Sequence, residues 1–340
     1  MEIFKQHVAV STGTNLVPPG PRVPATDAIV EAEGLRAAAY SAAEHVAYLS
    51  KLPVIQHWDA TTVADDVDVL VVDRPGWITA NSASLQVMLE PAITRLHEAQ
   101  PELVKNIGTG VTAAFSGAQV GSVLAFLASK VLGQFEPYAA KAAEGDAKPR
   151  LMLVAPNVMM IRDELNLNAE DFRFWVSLHE LTHVAQFAQA PWLADHILQI
   201  ATEFLMTNLL PESESELNAE QKTERSKTLE SQITAVMSLL EGHANVIMDA
   251  VDTTLVPSVK TIRQRFDARS SKYKWFSQIL RKVFGLDAKA KQYKRGQSFV
   301  AAVVDRVGME QFNRVWENPQ HLPTMDELHD ADAWITRVLG

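Results

Sequence analysis

Five consecutive residues, His179-Glu180-Leu181-Thr182-His183, form the most chemically suggestive pattern in this chain. They read H-E-x-x-H inside D-F-R-F-W-V-S-L-H-E-L-T-H-V-A-Q-F, whose apolar spacing predicts a helix. On a helix, side chains four positions apart stack on one face. His179 and His183 would then aim two imidazoles at one ion, and zinc suits that donor set. Glu180, the next residue, would stand beside a water held there and accept its proton. The plainer alternative is a capped amphipathic helix whose histidines happen to lie four apart.

A catalytic zinc takes three protein ligands and keeps one position for water. The third ligand expected here is Glu241, in S-L-L-E-G-H-A-N-V-I-M-D. Leu239, Leu240, Val246 and Ile247 would bury that helix, and a buried carboxylate needs a partner. Asn245 and Asp249, one and two turns on, are candidates to hydrogen-bond a ligand. His243 is the rival ligand, but two positions from Glu241 it faces away from the same helix surface. The other seven histidines stand in no comparable spacing, with His321, in a C-terminal loop, a weak exception.

Several elements must position these groups. Asn168 would cap the H-E-x-x-H helix, Asp171 would complete a capping-box-like pair, and Phe172, Trp175, Val176, Leu178 and Phe187 would bury it. Residues 151–158, L-M-L-V-A-P-N-V, read as a strand closed by Pro156-Asn157. It is either a plain core strand or a cleft edge that pairs with an extended substrate. Residues 67–72 predict a second strand, and Asp73-Arg74-Pro75-Gly76 a turn. Helical patterns cover 27–49, 80–97, 111–135, a stretch ending near 210, and residues from 229 through 251. Gly117 and Gly121 would allow close helix packing. Residues 17–26, rich in proline, read as an extended arm. Residues 211–228 are polar and would form a lid or a solvated loop. The expected fold is mainly α with a small β-sheet (α+β). A mostly helical region over 1–150 would pack intimately against a catalytic region over 151–340.

Composition narrows the chemistry. The chain has 340 residues and no cysteine, so disulfides, thiolate nucleophiles and cysteine-rich metal sites are excluded. The start, M-E-I-F-K-Q-H-V-A-V-S, lacks the layout of a secretory leader. The most apolar helical stretch, 118–133, is too short for a bilayer and is broken by Lys130. A cytoplasmic protein without a membrane partner is expected. The net charge of -10 argues against general nucleic-acid binding. Residues 260–295 nonetheless hold twelve Lys or Arg against only Asp267 and Asp287, interleaved with aromatic side chains. That segment is either an anion-binding surface or a pair of helices with solvated basic faces; no nucleic-acid motif accompanies it.

H-E-L-T-H is the pentapeptide of thermolysin-type zinc peptidases, and L-L-E-G-H-A resembles the glutamate segment of gluzincin aminopeptidases. More broadly, the chain resembles an actinobacterial zincin-like hydrolase family, some members of which are associated with deazaflavin-coenzyme biosynthesis. The segments V-D-R-P-G-W at 72–77, V-L-G-Q-F at 131–135, V-A-P-N-V at 154–158, K-Q-Y-K-R-G-Q-S-F-V at 291–300 and L-P-T at 322–324 carry that match together with the H-E-x-x-H region. The resemblance implies a zincin-like metallopeptidase core with extra helices, Zn2+ as cofactor, and Glu241 rather than His243 as third ligand. It departs from thermolysin-type enzymes in the 57 residues between His183 and Glu241, so the polar stretch 211–228 reads as an addition. Tyr293, with Arg295 as an alternative, lies in a matching segment and is a candidate oxyanion stabiliser; the plainer reading, which weighs more, is a surface tyrosine of a basic helix. The expected activity is zinc-dependent hydrolysis of an amide, with Glu180 activating water and a peptide or small-molecule amide as substrate. Two alternatives stand beside it: a catalytically silent zincin-fold binding or scaffold protein, and a hydrolase of a non-peptide amide or ester.

Overall fold

In a computed structural model, the structure describes residues 5–99, 117–138, 148–210, 217–270 and 291–340. In the first half, helices α1 (Gln6–Leu16), α2 (Ala25–Ser50) and α3 (Val63–Asp66) precede strand β1 (Asp68–Val72). Helices α4 (Arg74–Ala99) and α5 (Gly117–Ala128) follow, then β2 (Gly133–Glu136) and β3 (Arg150–Val154). The second half is helical: α6 (Ala155–Glu164), α7 (Ala169–Gln189), α8 (Leu193–Leu209), α9 (Ala219–Asp249), α10 (Val259–Ser270), α11 (Lys291–Val307), α12 (Met309–Phe312) and α13 (Ala331–Leu339). The fold is α+β, mostly helical, with one three-stranded sheet among the described residues. None of the described helices is long and apolar enough to cross a membrane.

The sheet has the order β1-β3-β2. β3 is therefore central, parallel to β1 with Val69 opposite Leu151, and antiparallel to β2 with Gly133 opposite Leu153. Of the two readings left open for 151–158, the central position makes it a core strand and not a cleft edge; the edge on the H-E-x-x-H side is β2. The strand also ends at Val154, because Pro156 sits in the first turn of α6, where its missing N–H costs no helical hydrogen bond. The helix expected over 111–135 runs only over Gly117–Ala128 within the described residues, and Phe135 belongs to β2. Pairing with a central strand overrides local helical pattern there.

Two other local expectations change. The polar stretch 211–228 is not a loop from Ala219 onward: Asn218 and Gln221 form a reciprocal capping box and α9 starts there, while residues 211–216 lie outside the described residues. The turn at 73–76 is instead the start of α4, with Asp73 Oδ1 accepting from the Gly76 N–H at 2.7 Å. On α7, Asn168 caps as expected by accepting from the Asp171 N–H at 3.0 Å. Asp171 does not return the bond; its carboxylate accepts from the Ser258 N–H at 2.8 Å, just ahead of α10. Of the basic segment, residues 271–290 lie outside the described residues. Arg265 on α10 closes the end of α6 by donating to the Leu165 and Asn166 carbonyls.

One apolar cluster joins α2, β1, β3, α7, α9, α11 and the C-terminal segment, from Leu35 through Leu151, Leu178 and Leu240 to Trp334. A second gathers Ala9, Trp77, Ile78 and Leu124 against Met152 and Val154. Residues on both sides of position 150 thus share both clusters and the sheet. Arg74, only 3% exposed, ties the proline arm to this frame. It donates to the Pro18 and Pro19 carbonyls and to Asn157 Oδ1, and Asn157 in turn donates to the Ala128 and Val131 carbonyls. Buried Glu31 on α2 likewise receives Arg162 of α6 at 2.8 Å and Arg173 of α7 at 2.6 Å.

The packing that matters most for the site is α11 on α9. A methyl group on Gly296 would lie 1.8 Å from the Ser238 carbonyl oxygen, and one on Gly242 would lie 2.3 Å from the Gly296 carbonyl carbon. The two backbones can meet only because both positions lack a side chain. Glu241 sits in that turn, so the contact sets where its helix lies. Gly296→Ala should force the helices apart and lower stability by about 3 kcal/mol, read as a reduced midpoint in urea unfolding with the slope unchanged. A variant with wild-type stability would show that the crossing is not tight.

Candidate metal centre

His179 and His183 project from one face of α7, and Glu241 faces them from α9. Their donor atoms all lie within 4.8 Å of one another. The two imidazole Nε2 atoms are 3.2 Å apart, with the rings perpendicular. Glu241 Oε2 is 3.7 Å from His179 Nε2, and Oε1 is 3.6 Å from His183 Nε2. All three side chains are partly accessible, at 23%, 14% and 22%. The structure thus brings together the three residues the sequence selected as ligands, and among the described residues this is the only His/Asp/Glu group close enough to share an ion.

The donor set fits zinc. Four ligands at about 2.0–2.1 Å around a tetrahedral ion stand about 3.3 Å from each other, and the three separations here bracket that figure from 3.2 to 3.7 Å. The outer ring nitrogens are engaged elsewhere. His183 Nδ1 is 3.0 Å from Gln186 Oε1, and His179 Nδ1 is 3.1 Å from the sulfur of buried Met248. With protons on both Nδ1 atoms, both Nε2 lone pairs turn toward the same point. Two lone pairs and a carboxylate converging this closely repel one another unless a cation lies among them.

Burial and charge reinforce that reading. Burial holds His179 well below the usual histidine range, with His183 and Arg263 adding in the same direction, so the neutral, ligating form is favoured. Burial raises the Glu241 carboxyl, opposed by His183. Burial pushes Glu180 up to about 8, with the Glu241 carboxylate adding to the effect. A dication would reverse the balance for both acids.

Glu180 is only 8% exposed and points to the sheet. A Cβ at Gly133, the first residue of β2, would lie 2.6 Å from Glu180 Cγ and 2.8 Å from its carboxyl carbon. Only glycine lets the strand approach this closely. Val154 donates to the Leu132 carbonyl, so Leu132 and Val154 form a hydrogen-bonded pair. In an antiparallel ladder the next pair, Gly133 and Leu153, is then non-hydrogen-bonded. The N–H and C=O of Gly133, and two residues on those of Phe135, face away from β3, toward the sheet edge that no further strand pairs with among the described residues.

The supporting residues differ from those expected. Asn245 does not reach a ligand side chain; it donates to the Glu241 backbone carbonyl at 2.8 Å and accepts from Arg263. Asp249 accepts from Arg263 and Gln297. Both brace the helix instead of orienting the donors, because side chains one turn apart on a helix lie over the backbone of the previous turn. His243 is fully buried against Phe312 and Trp316, outside the donor group. His321 is held by the Arg314 carbonyl at 2.7 Å. Tyr293 falls in the first turn of α11, and its side chain lies outside the described residues. Gly133, Gln186 and Met248 were not singled out by sequence. Gln186 carried a signal, since it stands three positions from His183 on the same helix face; Gly133 and Met248 carried none without the sheet and the helix crossing.

A family model for zincin-like metallopeptidases matches residues 6–335. Among solved structures, a crystal structure from Chloroflexus aurantiacus described as "a putative hydrolase with a novel fold" is 28% identical to this chain. It covers 98% of both chains with a TM-score of 0.69. A search of curated proteins finds no match.

Purified protein incubated with zinc and desalted is expected to retain one ion per chain. Glu241→Ala should lower that stoichiometry, measured by elemental analysis, while His243→Phe should leave it at one. Full retention in the Glu241 variant would pass the ligand role to another residue.

Proposed function

The chain belongs to the zincin-like metallopeptidase family, and from that premise we propose that it is a zinc-dependent hydrolase of amide bonds, with peptides as the substrate class. His179, His183 and Glu241 hold the ion in this reading. Zinc, when bound, supplies a Lewis acid that acidifies water and polarises a carbonyl. Glu180 accepts the proton of the attacking water and returns it to the leaving amine. Its carboxyl is placed by Gly133 on one side and by its neighbours in α7 on the other. Burial and the Glu241 carboxylate raise Glu180 to about 8, and a dication held by the three ligands would bring it back toward the ionised form that accepts a proton.

The observation that carries the peptide reading is the free edge of β2 beside Glu180. An extended substrate chain can add to such an edge, pairing its backbone with Gly133 and Phe135 and bringing a scissile amide alongside the acid. Tyr293, at the start of the helix that packs on the Glu241 turn, is assigned to stabilise the developing oxyanion.

The test compares zinc-loaded wild type with Glu180→Gln on a peptide library. The variant should keep its zinc and lose turnover by at least about 10²–10⁴-fold; wild-type turnover would remove Glu180 from the chemistry. Gly133→Ala should also keep zinc and lose about 10²-fold in kcat by displacing the carboxyl. Tyr293→Phe should lower kcat with zinc content unchanged. Wild-type cleavage confined to small amides or esters would overturn the peptide assignment and leave the hydrolase.

A further inference from the structure

Gln186 is fully buried, and every polar atom of its side chain is used. Oε1 faces His183 Nδ1 at 3.0 Å. Nε2 donates to the Leu240 carbonyl at 2.9 Å and to His243 Nδ1 at 3.0 Å. The Leu240 carbonyl can only accept, so it fixes which end of the amide is nitrogen. The other end is then an acceptor, and His183 must present an Nδ1–H to it. The lone pair of His183 is thereby confined to Nε2, the atom nearest to His179 and Glu241. Of the two partners on α9, Leu240 immediately precedes Glu241 and His243 follows it by two positions. One amide therefore joins the helix of both histidines to the turn that carries the carboxylate.

His243 makes sense only in this light. Its ring is 0% exposed, stacked on Phe312 at 5.5 Å, and its Nε2 has no hydrogen-bond partner among the described residues. A buried polar atom left unpaired costs stability, and an apolar side chain there would avoid that cost. What the imidazole supplies, and a phenyl ring would not, is the Nδ1 acceptor for Gln186.

We propose that Gln186 is a positioning residue of the metal centre, fixing the tautomer of His183 and locking α7 to the Glu241 turn, with His243 as its buried anchor. This deepens the zinc reading above and rests on it. Gln186 touches neither substrate nor ion; it acts through His183 and Leu240.

The experiment measures zinc Kd by competition with a chromogenic chelator for wild type, Gln186→Leu, Gln186→Glu and His243→Phe. Long-range nitrogen–proton NMR of the zinc-free wild type reads the tautomer of His183 in parallel. Gln186→Leu should weaken zinc binding about 10–100-fold, the range seen when an outer partner of a ligating histidine is lost. Gln186→Glu keeps an acceptor for His183 but loses the donor to the Leu240 carbonyl, so its zinc affinity should lie between those of wild type and Gln186→Leu. His243→Phe should cost less than Gln186→Leu, because the Leu240 carbonyl still orients the amide. His183 should carry its proton on Nδ1. Equal zinc affinity in wild type and Gln186→Leu, a Gln186→Glu variant as weak as Gln186→Leu, or a proton on His183 Nε2 would each overturn the assignment. A wild type that binds no zinc yet shows His183 protonated at Nδ1 would sink the metal reading, and with it the role at a metal centre, and leave only the tautomer and the tie between α7 and α9. If Gln186→Leu does not fold, Gln186→Glu and the tautomer measurement still decide.

Discussion

The structure is organised around three electron-rich groups forced together: two imidazole nitrogens and a carboxylate. Left alone they would separate, since like partial charges at 3.2–3.7 Å in a half-buried setting repel. They stay because each is clamped from behind. Met248 and Gln186 hold the outer nitrogens of the rings, and the tight crossing of α11 on α9 holds the backbone of Glu241. Protein packing here opposes local electrostatics, and a bound dication turns that opposition into a favourable arrangement. Loss of water raises both acids; the Glu241 carboxylate adds to the rise of Glu180, while His183 opposes that of Glu241.

The scaffold that performs this clamping is distributed. α7 is capped by Asn168, buried by Leu178, Leu181 and Val184, and tied to α2 through Arg173 and Glu31. α9 is started by its own capping box and pinned by Gly242 and Gly296. The sheet contributes Gly133, which lets β2 come against Glu180. Each contact is ordinary in kind; the site results from their being satisfied together, as a uniquely packed interior demands.

Much of the candidate metal centre was legible in the sequence because it rests on helical periodicity and on chemistry that few residue types can supply. His179, His183 and Glu180 follow from spacing on one helix, and Glu241 from a carboxylate in an apolar run. The Asn168 cap was likewise local. What sequence did not reveal depends on contacts between distant segments. The strand at 133–136 is four residues long and is held by antiparallel pairing with β3, so the pattern at 111–135 read as one helix. Whether 150–154 is an edge or a central strand stayed open for the same reason, since strand order is a property of the sheet and not of any strand. Asn245 was expected to orient a ligand, but the second helix turn points it at backbone. Gln186 and His243 were visible as residues, yet their partnership crosses 57 positions and needs the α7–α9 contact to exist.

The separation of the donors along the chain has a consequence for biosynthesis. α7 leaves the ribosome with both imidazoles in place while the turn holding Glu241 is still to be made. At about 5–20 residues per second, the intervening stretch takes on the order of several seconds to appear. Until then the nascent chain offers an incomplete two-nitrogen chelate, open to any borderline transition metal in the cell. The carboxylate arrives only when α9 docks, and on the proposed zinc reading high-affinity capture of the ion would be postponed to the final stages of folding.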